Sequence, residues 1–98
     1  MTQTSSVAIS PPDLMKNLML DIVRALVDQP DDVAIDLTDD SGTTVIRLRV
    51  AHQDIGKVIG KQGRTARSLR TILGAASMKL HHRFALDIVE DEKSRPAD

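Results

Sequence analysis

Gly60-Lys61-Gln62-Gly63 lies at the centre of a run, Ile55 to Arg64, in which glycines are interspersed with cations. Two glycines bracketing two polar residues give a backbone that can turn sharply or come close to a ligand, because no Cβ intervenes. Lys57, Lys61, Gln62, Arg64 and Arg67 surround the glycines, and none of them is acidic. Main-chain N–H groups exposed in such a turn, backed by positive side chains, suit a phosphate.

Three structures would use the stretch. A nucleoside-triphosphate loop fails on spacing, because only three residues separate Gly56 from Gly60 and Gln62 stands where a metal-binding Ser or Thr is required. A corner between two helices, with glycines serving packing alone, accounts for one glycine. It does not account for two glycines flanking a Lys-Gln pair inside a basic segment. A clamp on a nucleic-acid backbone uses both the glycines and the charge.

The charge is unevenly placed. The net value is −1. Residues 1–40 hold Lys16 and Arg24 against eight aspartates, a balance of −6, and residues 41–83 hold nine Lys and Arg against Asp54 alone, +8. Residues 84–98 hold two basic and five acidic side chains, −3. A local patch of this kind can direct an anion even when the whole chain is near neutral. Phe84 is the only aromatic residue, so nucleic-acid binding cannot rest on stacking platforms. The absence of cysteine excludes disulfides and thiolate metal sites. Residues 1–10 lack the basic and apolar regions of a secretory signal, and no apolar run approaches the roughly 18 residues of a membrane span. The reading is a soluble, cytoplasmic, single-domain protein.

The elements that position the loop follow from periodicity. Ser10-Pro11-Pro12-Asp13 opens a helix of about 15 residues with Ser10 as N-cap. Its apolar residues (Leu14, Met15, Leu18, Met19, Ile22, Val23, Leu26, Val27) form two adjacent i, i+4 stripes, a broad face read as sheet-facing core ahead of a partner-binding surface, its width leaving room for both. Pro30 ends the helix, and Val33, Ile35 and Leu37 alternate as a strand. Asp39-Asp40-Ser41-Gly42 makes a hairpin, and the return strand from Thr44 to Ala51 points Ile46, Leu48 and Val50 inward. Asp54 is placed to cap a short helix through Ile59. A longer helix begins near Arg64, with Ala66, Leu69, Ile72, Leu73, Ala76 and Leu80 as its buried stripe. Gly74 interrupts that stripe, and close packing against a neighbour would explain it. Phe84, Leu86 and Ile88 alternate as a last strand. The sum is a two-layer α+β domain, a three-stranded sheet covered on one face by three helices. Residues 1–11 and 91–98 are read as flexible tails around a domain at 12–90.

Val58-Ile59-Gly60-Lys61-Gln62-Gly63 resembles the Ile-Gly-x-x-Gly element of KH domains, whose loop clamps the backbone of about four nucleotides. Two strands before the loop and one after it resemble the type II KH order, α-β-β-α-α-β. The run His52 to Arg64, in a chain with a single such unit, is similar to the small bacterial KhpA-type RNA-binding proteins. The resemblance covers about Leu14 to Glu90. It implies a non-enzymatic binder of single-stranded RNA with no cofactor and no metal. In that reading the Lys61, Gln62 and Gly63 N–H groups face a phosphate, and Lys61, Lys57, Arg64 and Arg67 supply charge. Side chains at Gly60 or Gly63 would obstruct the phosphate. Ile55, Ile59 and the strand near Val50 floor an aliphatic groove for bases. The resemblance further implies self-association as a homodimer and pairing with a second KH-containing protein. The setting it implies is post-transcriptional regulation, RNA chaperoning, and control of cell growth, division and shape.

Other polar residues carry less. His81-His82, being consecutive, point about 100° apart on a helix and cannot share a metal, so they read as a helix end. His52 has no evident carboxylate partner. Asp31-Asp32 and Asp39-Asp40 lack calcium-loop spacing and read as turns. Arg47 and Arg49 sit on the sheet face away from the helices, as solvated charges, a second phosphate surface, or an interface. No catalytic constellation is present. The competing readings are an assembly module whose loop makes a dimer contact, and a binder of single-stranded DNA.

Overall fold

The computed structural model describes residues 9–90. The expected tails lie outside them, apart from residues 9–11, and helix α1 already includes Pro11. In chain order the elements are α1 (Pro11–Leu26), β1 (Ala34–Asp40), β2 (Thr43–Val50), α2 (Ile55–Ile59), α3 (Arg64–Leu80) and β3 (Arg83–Glu90). Short 3-10 turns at Pro30–Asp32, His52–Asp54 and Lys61–Gly63 link them. This is the α+β arrangement of a type II KH fold.

Local chemistry sets the boundaries. The Ser10 hydroxyl accepts the Asp13 N–H at 3.3 Å, and proline follows at the first helical position of α1. The β1–β2 hairpin closes on Ser41 (φ 53°) and Gly42 (φ 89°), the pair of positive φ values that matches strand twist in a two-residue turn. His81 (φ 53°) ends α3 in the left-handed conformation, its N–H returning to the Ser77 carbonyl.

The sheet order is β1-β2-β3, antiparallel then parallel. Register sets Ile35 opposite Leu48 and Leu37 opposite Ile46, while Ile46 and Leu48 face Leu86 and Ile88 on β3. The inward residues of β2 are fully buried, as the alternation predicts. From the helices, Met15, Met19 and Val23 of α1, Val58 of α2, and Ala66, Leu69 and Leu73 of α3 complete the interior. Each of these side chains other than Ala66 contributes about 1.5–3 kcal/mol by leaving water.

Three packing expectations need correction. Only one stripe of α1 is buried, and Leu14, Leu18 and Leu26 stay exposed. Leu14 and Leu18 project about 100° or more from the Met19 direction, beyond the reach of a sheet three strands wide. Ile72 is likewise turned off the Leu69–Leu73 line and is 41% exposed. Gly74 meets no packing neighbour among the described residues: beyond its own helix backbone, a Cβ there would have nothing within 4 Å.

The outer face of the sheet is a charged mesh. Arg47 pairs with Asp87 at 3.6 Å and Arg49 with Asp36 at 3.0 Å, across neighbouring strands. Both pairs are solvated, worth about 0–1 kcal/mol each. No helix among the described residues is long and apolar enough to cross a membrane.

Candidate nucleic-acid interface

The glycine loop joins a five-residue helix to a seventeen-residue one, and its shape is forced from both sides. Gly60 adopts φ 80°, ψ 168°, a conformation reserved for glycine. A Cβ at Gly60 would also lie 2.7 Å from Thr65 Cβ and 2.8 Å from Thr65 N. Gly60 is therefore demanded by the start of α3 itself, and the obstruction expected there from a ligand comes first from within the chain. Gly63 differs: it is left-handed (φ 74°), but a Cβ on it would meet nothing within 4 Å and points to open space. Between them Gln62 takes φ 57°, ψ 25°, a left-handed conformation costing a non-glycine residue about 1–2 kcal/mol.

Main-chain donors are fewer than the sequence implies. The Gly63 N–H donates to the Gly60 carbonyl at 3.0 Å, so the tight turn consumes it. Lys61 and Gln62 open the turn, and their N–H groups have no acceptor within it. Beyond them, α3 starts with Gly63 as N-cap and has no side-chain cap, while the Arg64 N–H turns back to the Lys61 carbonyl. Its first turn contains no acid. Arg64 and Arg67 lie there, exposed and three residues apart on one flank. Cations at the positive end of a helix are unfavourably placed, by a few tenths of a kcal/mol up to about 1 kcal/mol each, unless an anion joins them. Among the described residues no ion pair engages Lys61, Arg64 or Arg67.

The other expected site residues divide. Ile59 is half-buried, beside the loop and outside the central core cluster. Ile55 is half-buried but packs onto that cluster. Val50 is fully buried and supports the surface without lining it, because β2 is the central strand. Lys57 is turned away toward carboxylates, its Nζ 3.1 Å from Asp28 Oδ2 and 3.7 Å from Asp54 Oδ1. The hydrogen bond to Asp28 and the negative charge of that residue raise its pKa above 10.5, with Asp54 adding to the effect.

Asp54 does not cap α2 with its side chain. The carboxylate is fully buried and accepts the Asp28 N–H at 3.1 Å and the Gln29 N–H at 2.9 Å. One sequence signal could have marked it, since it is the single acid in the basic segment 41–83. His52, expected to lack a carboxylate, bonds through Nδ1 to Glu90 of β3. His82 leaves the helix end and bonds through Nε2 to the Thr44 hydroxyl at 2.6 Å. No group of three or more metal-ligating side chains gathers among the described residues.

Known proteins share the sequence and the fold of this chain. Residues 16–88 match the family model described as KhpA/KhpB, KH domain. The RNA-binding protein KhpA of Halalkalibacterium halodurans is 50% identical over 76 residues, covering 78% of this chain and all of that protein. Its counterpart in Treponema pallidum is 45% identical over 75 residues, covering 76% of this chain and 94% of that one. Among solved structures, Era in complex with MgGDPNP and nucleotides 1506–1542 of 16S ribosomal RNA superimposes with a TM-score of 0.54 at 15% identity. That match covers 93% of this chain and 35% of Era, so it speaks to the fold alone. With the family model covering most of the chain and close relatives matched almost end to end, the chain belongs to the KhpA/KhpB KH-domain family.

Proposed function

We propose that this protein binds single-stranded RNA without catalysing a reaction, and that the Gly60-Lys61-Gln62-Gly63 loop clamps the RNA backbone. The observation that carries the reading is the start of α3, which has no side-chain cap and no acid in its first turn, and which holds Arg64 and Arg67 beside the glycine turn. A phosphate there would accept the Lys61 and Gln62 N–H groups and meet the helix at its positive end. Lys61, Arg64 and Arg67 would neutralise it. Ile59, with the accessible edge of Ile55, would offer a short aliphatic surface to the neighbouring bases. The names of the relatives, RNA-binding proteins, support RNA as the ligand.

One such site reads about four nucleotides, so useful affinity calls for a second, supplied by a homodimer or by another KH-containing protein. Post-transcriptional regulation in the cytoplasm is the setting that fits. A second reading, an assembly module, is favoured by the exposed Leu14, Leu18, Leu26, Ile72 and Met78. One double variant separates the two. Lys61→Asp with Gln62→Asp places two acids in the clamp and leaves the interior untouched. The folded variant is expected to lose RNA binding at constant salt and to keep its mass by light scattering. Wild-type affinity in that variant would refute the clamp, and a change of mass would favour assembly through the loop. Parallel titration with single-stranded DNA of the same base sequence distinguishes the two nucleic acids.

A further inference from the structure

The short helix α2 carries the glycine loop, yet five residues are far too few to hold a helix in place unaided. Val58 is its only buried residue, and at its far end Gly60 fits closely against Thr65. What fixes its beginning is Asp54. This carboxylate is fully buried and reaches across to the segment that leaves α1, accepting the N–H groups of Asp28 and Gln29. One turn into α2, the Lys57 ammonium spans the same junction, 3.1 Å from Asp28 Oδ2 and 3.7 Å from Asp54 Oδ1. One main-chain segment, two carboxylates and one ammonium thus make a closed clasp between the end of α1 and the start of α2.

We infer that Asp54 and Lys57 are positioning residues for the glycine loop, and that Lys57 makes no phosphate contact of its own. The inference rests on the clamp reading given above and reassigns one of its cations. A phosphate seeking Lys57 would have to displace Asp28 and would approach two carboxylates to do so. Lys61, Arg64 and Arg67 present no such competitor among the described residues. A buried carboxylate facing two main-chain donors has no neutral substitute of equal fit, because an amide turns one of its own N–H groups toward them. Loss of either partner therefore loosens the start of α2 and, five residues on, the geometry of the loop.

The experiment measures affinity for a fluorescein-labelled oligouridine across a salt series, together with backbone amide spectra of the RNA-free protein. Each phosphate contact to a single strand contributes about 0.7 to the slope of log affinity against log salt. Lys61→Gln is expected to lower that slope by about 0.7. Lys57→Gln is expected to weaken binding about threefold to fivefold at every salt concentration, with the slope unchanged. It should also shift the Gly60 and Gly63 amide resonances before RNA is added, while the distant Gly42 resonance stays in place. Lys57→Arg, which can span the same two carboxylates, should restore both affinity and resonances. Asp54→Asn should move the loop resonances further. Should that variant not fold, Asp28→Asn tests the clasp from its solvent side and is expected to act like Lys57→Gln. A slope lowered by about 0.7 in Lys57→Gln, or loop resonances unmoved in Lys57→Gln and Asp28→Asn, would overturn the inference. If instead Lys61→Gln leaves both slope and affinity at wild type, the clamp itself fails, whereas the resonance shifts still report on the clasp.

Discussion

Replacing each glycine of the loop by alanine separates what the fold requires from what the ligand requires. Gly60 has φ 80° and ψ 168°, a region nearly closed to other residues, and forcing alanine into it costs about 1–3 kcal/mol. The added methyl would also lie 2.7 Å from Thr65 Cβ and 2.8 Å from Thr65 N, so the first turn of α3 must move, as in an overpacked core, for another 1–3 kcal/mol or so. The expected total is about 2–6 kcal/mol, against a stability of about 5–15 kcal/mol for a domain of this kind. Gly63→Ala meets only the left-handed penalty of about 1–2 kcal/mol, since its Cβ points into open space. In a domain of this size each kcal/mol lowers Tm by about 4–8 °C. Denaturant melts followed by circular dichroism should therefore place Gly60→Ala well below Gly63→Ala, with Gly63→Ala still folded at 25 °C. RNA titration of Gly63→Ala should then show weakened binding in an intact fold, because its methyl occupies space a phosphate would use. Equal destabilisation of the two variants would refute the loop geometry. Undiminished RNA affinity in Gly63→Ala would refute the approach of the backbone to Gly63.

Two further outcomes follow from charge and backbone strain. The raised pKa of Lys57 means that its contribution to stability is complete below the ordinary value of 10.5 and is lost as pH rises through the higher folded value. Urea midpoints should therefore fall above about pH 10.5 in the wild type, and a smaller fall in Lys57→Gln would confirm the source. Gln62→Gly should relieve the left-handed strain at φ 57°, raising stability by about 0.5–1 kcal/mol after the entropy of the added glycine is counted. A lower urea midpoint would contradict that.

Local pattern carried most of the architecture. Period-two alternation at Ile46, Leu48 and Val50 and the Ser10-Pro11 start of α1 depend on neighbours in sequence, and both appear in the structure as read. The misreadings of Asp54 and His52 share one cause, which is distance along the chain. Asp54 looked like a local cap because its partners lie 25 and 26 residues away, and His52 looked unpartnered because Glu90 is 38 residues away. The two stripes of α1 differ only in which one the sheet reaches, and helical periodicity cannot tell them apart. At the candidate site, residue type and spacing alone single out the glycines and Lys61, Arg64 and Arg67, the residues proposed to meet RNA. The internal use of the Gly63 N–H, the competition of Thr65 for space at Gly60 and the diversion of Lys57 are properties of packing.

The parallel pairing of β2 with β3 has a practical consequence for anyone building with this domain. It sets Val50 beside Glu90, so β3 finishes at the pole where β2 leads into α2 and the glycine loop. Helix α1 ends near Asp54, at that pole, and its first residue lies a helix length from its last. A fluorescent label or partner domain attached after β3 would therefore crowd the face proposed to take RNA. The same cargo attached ahead of α1 would stand a helix length away, about 24 Å for sixteen residues.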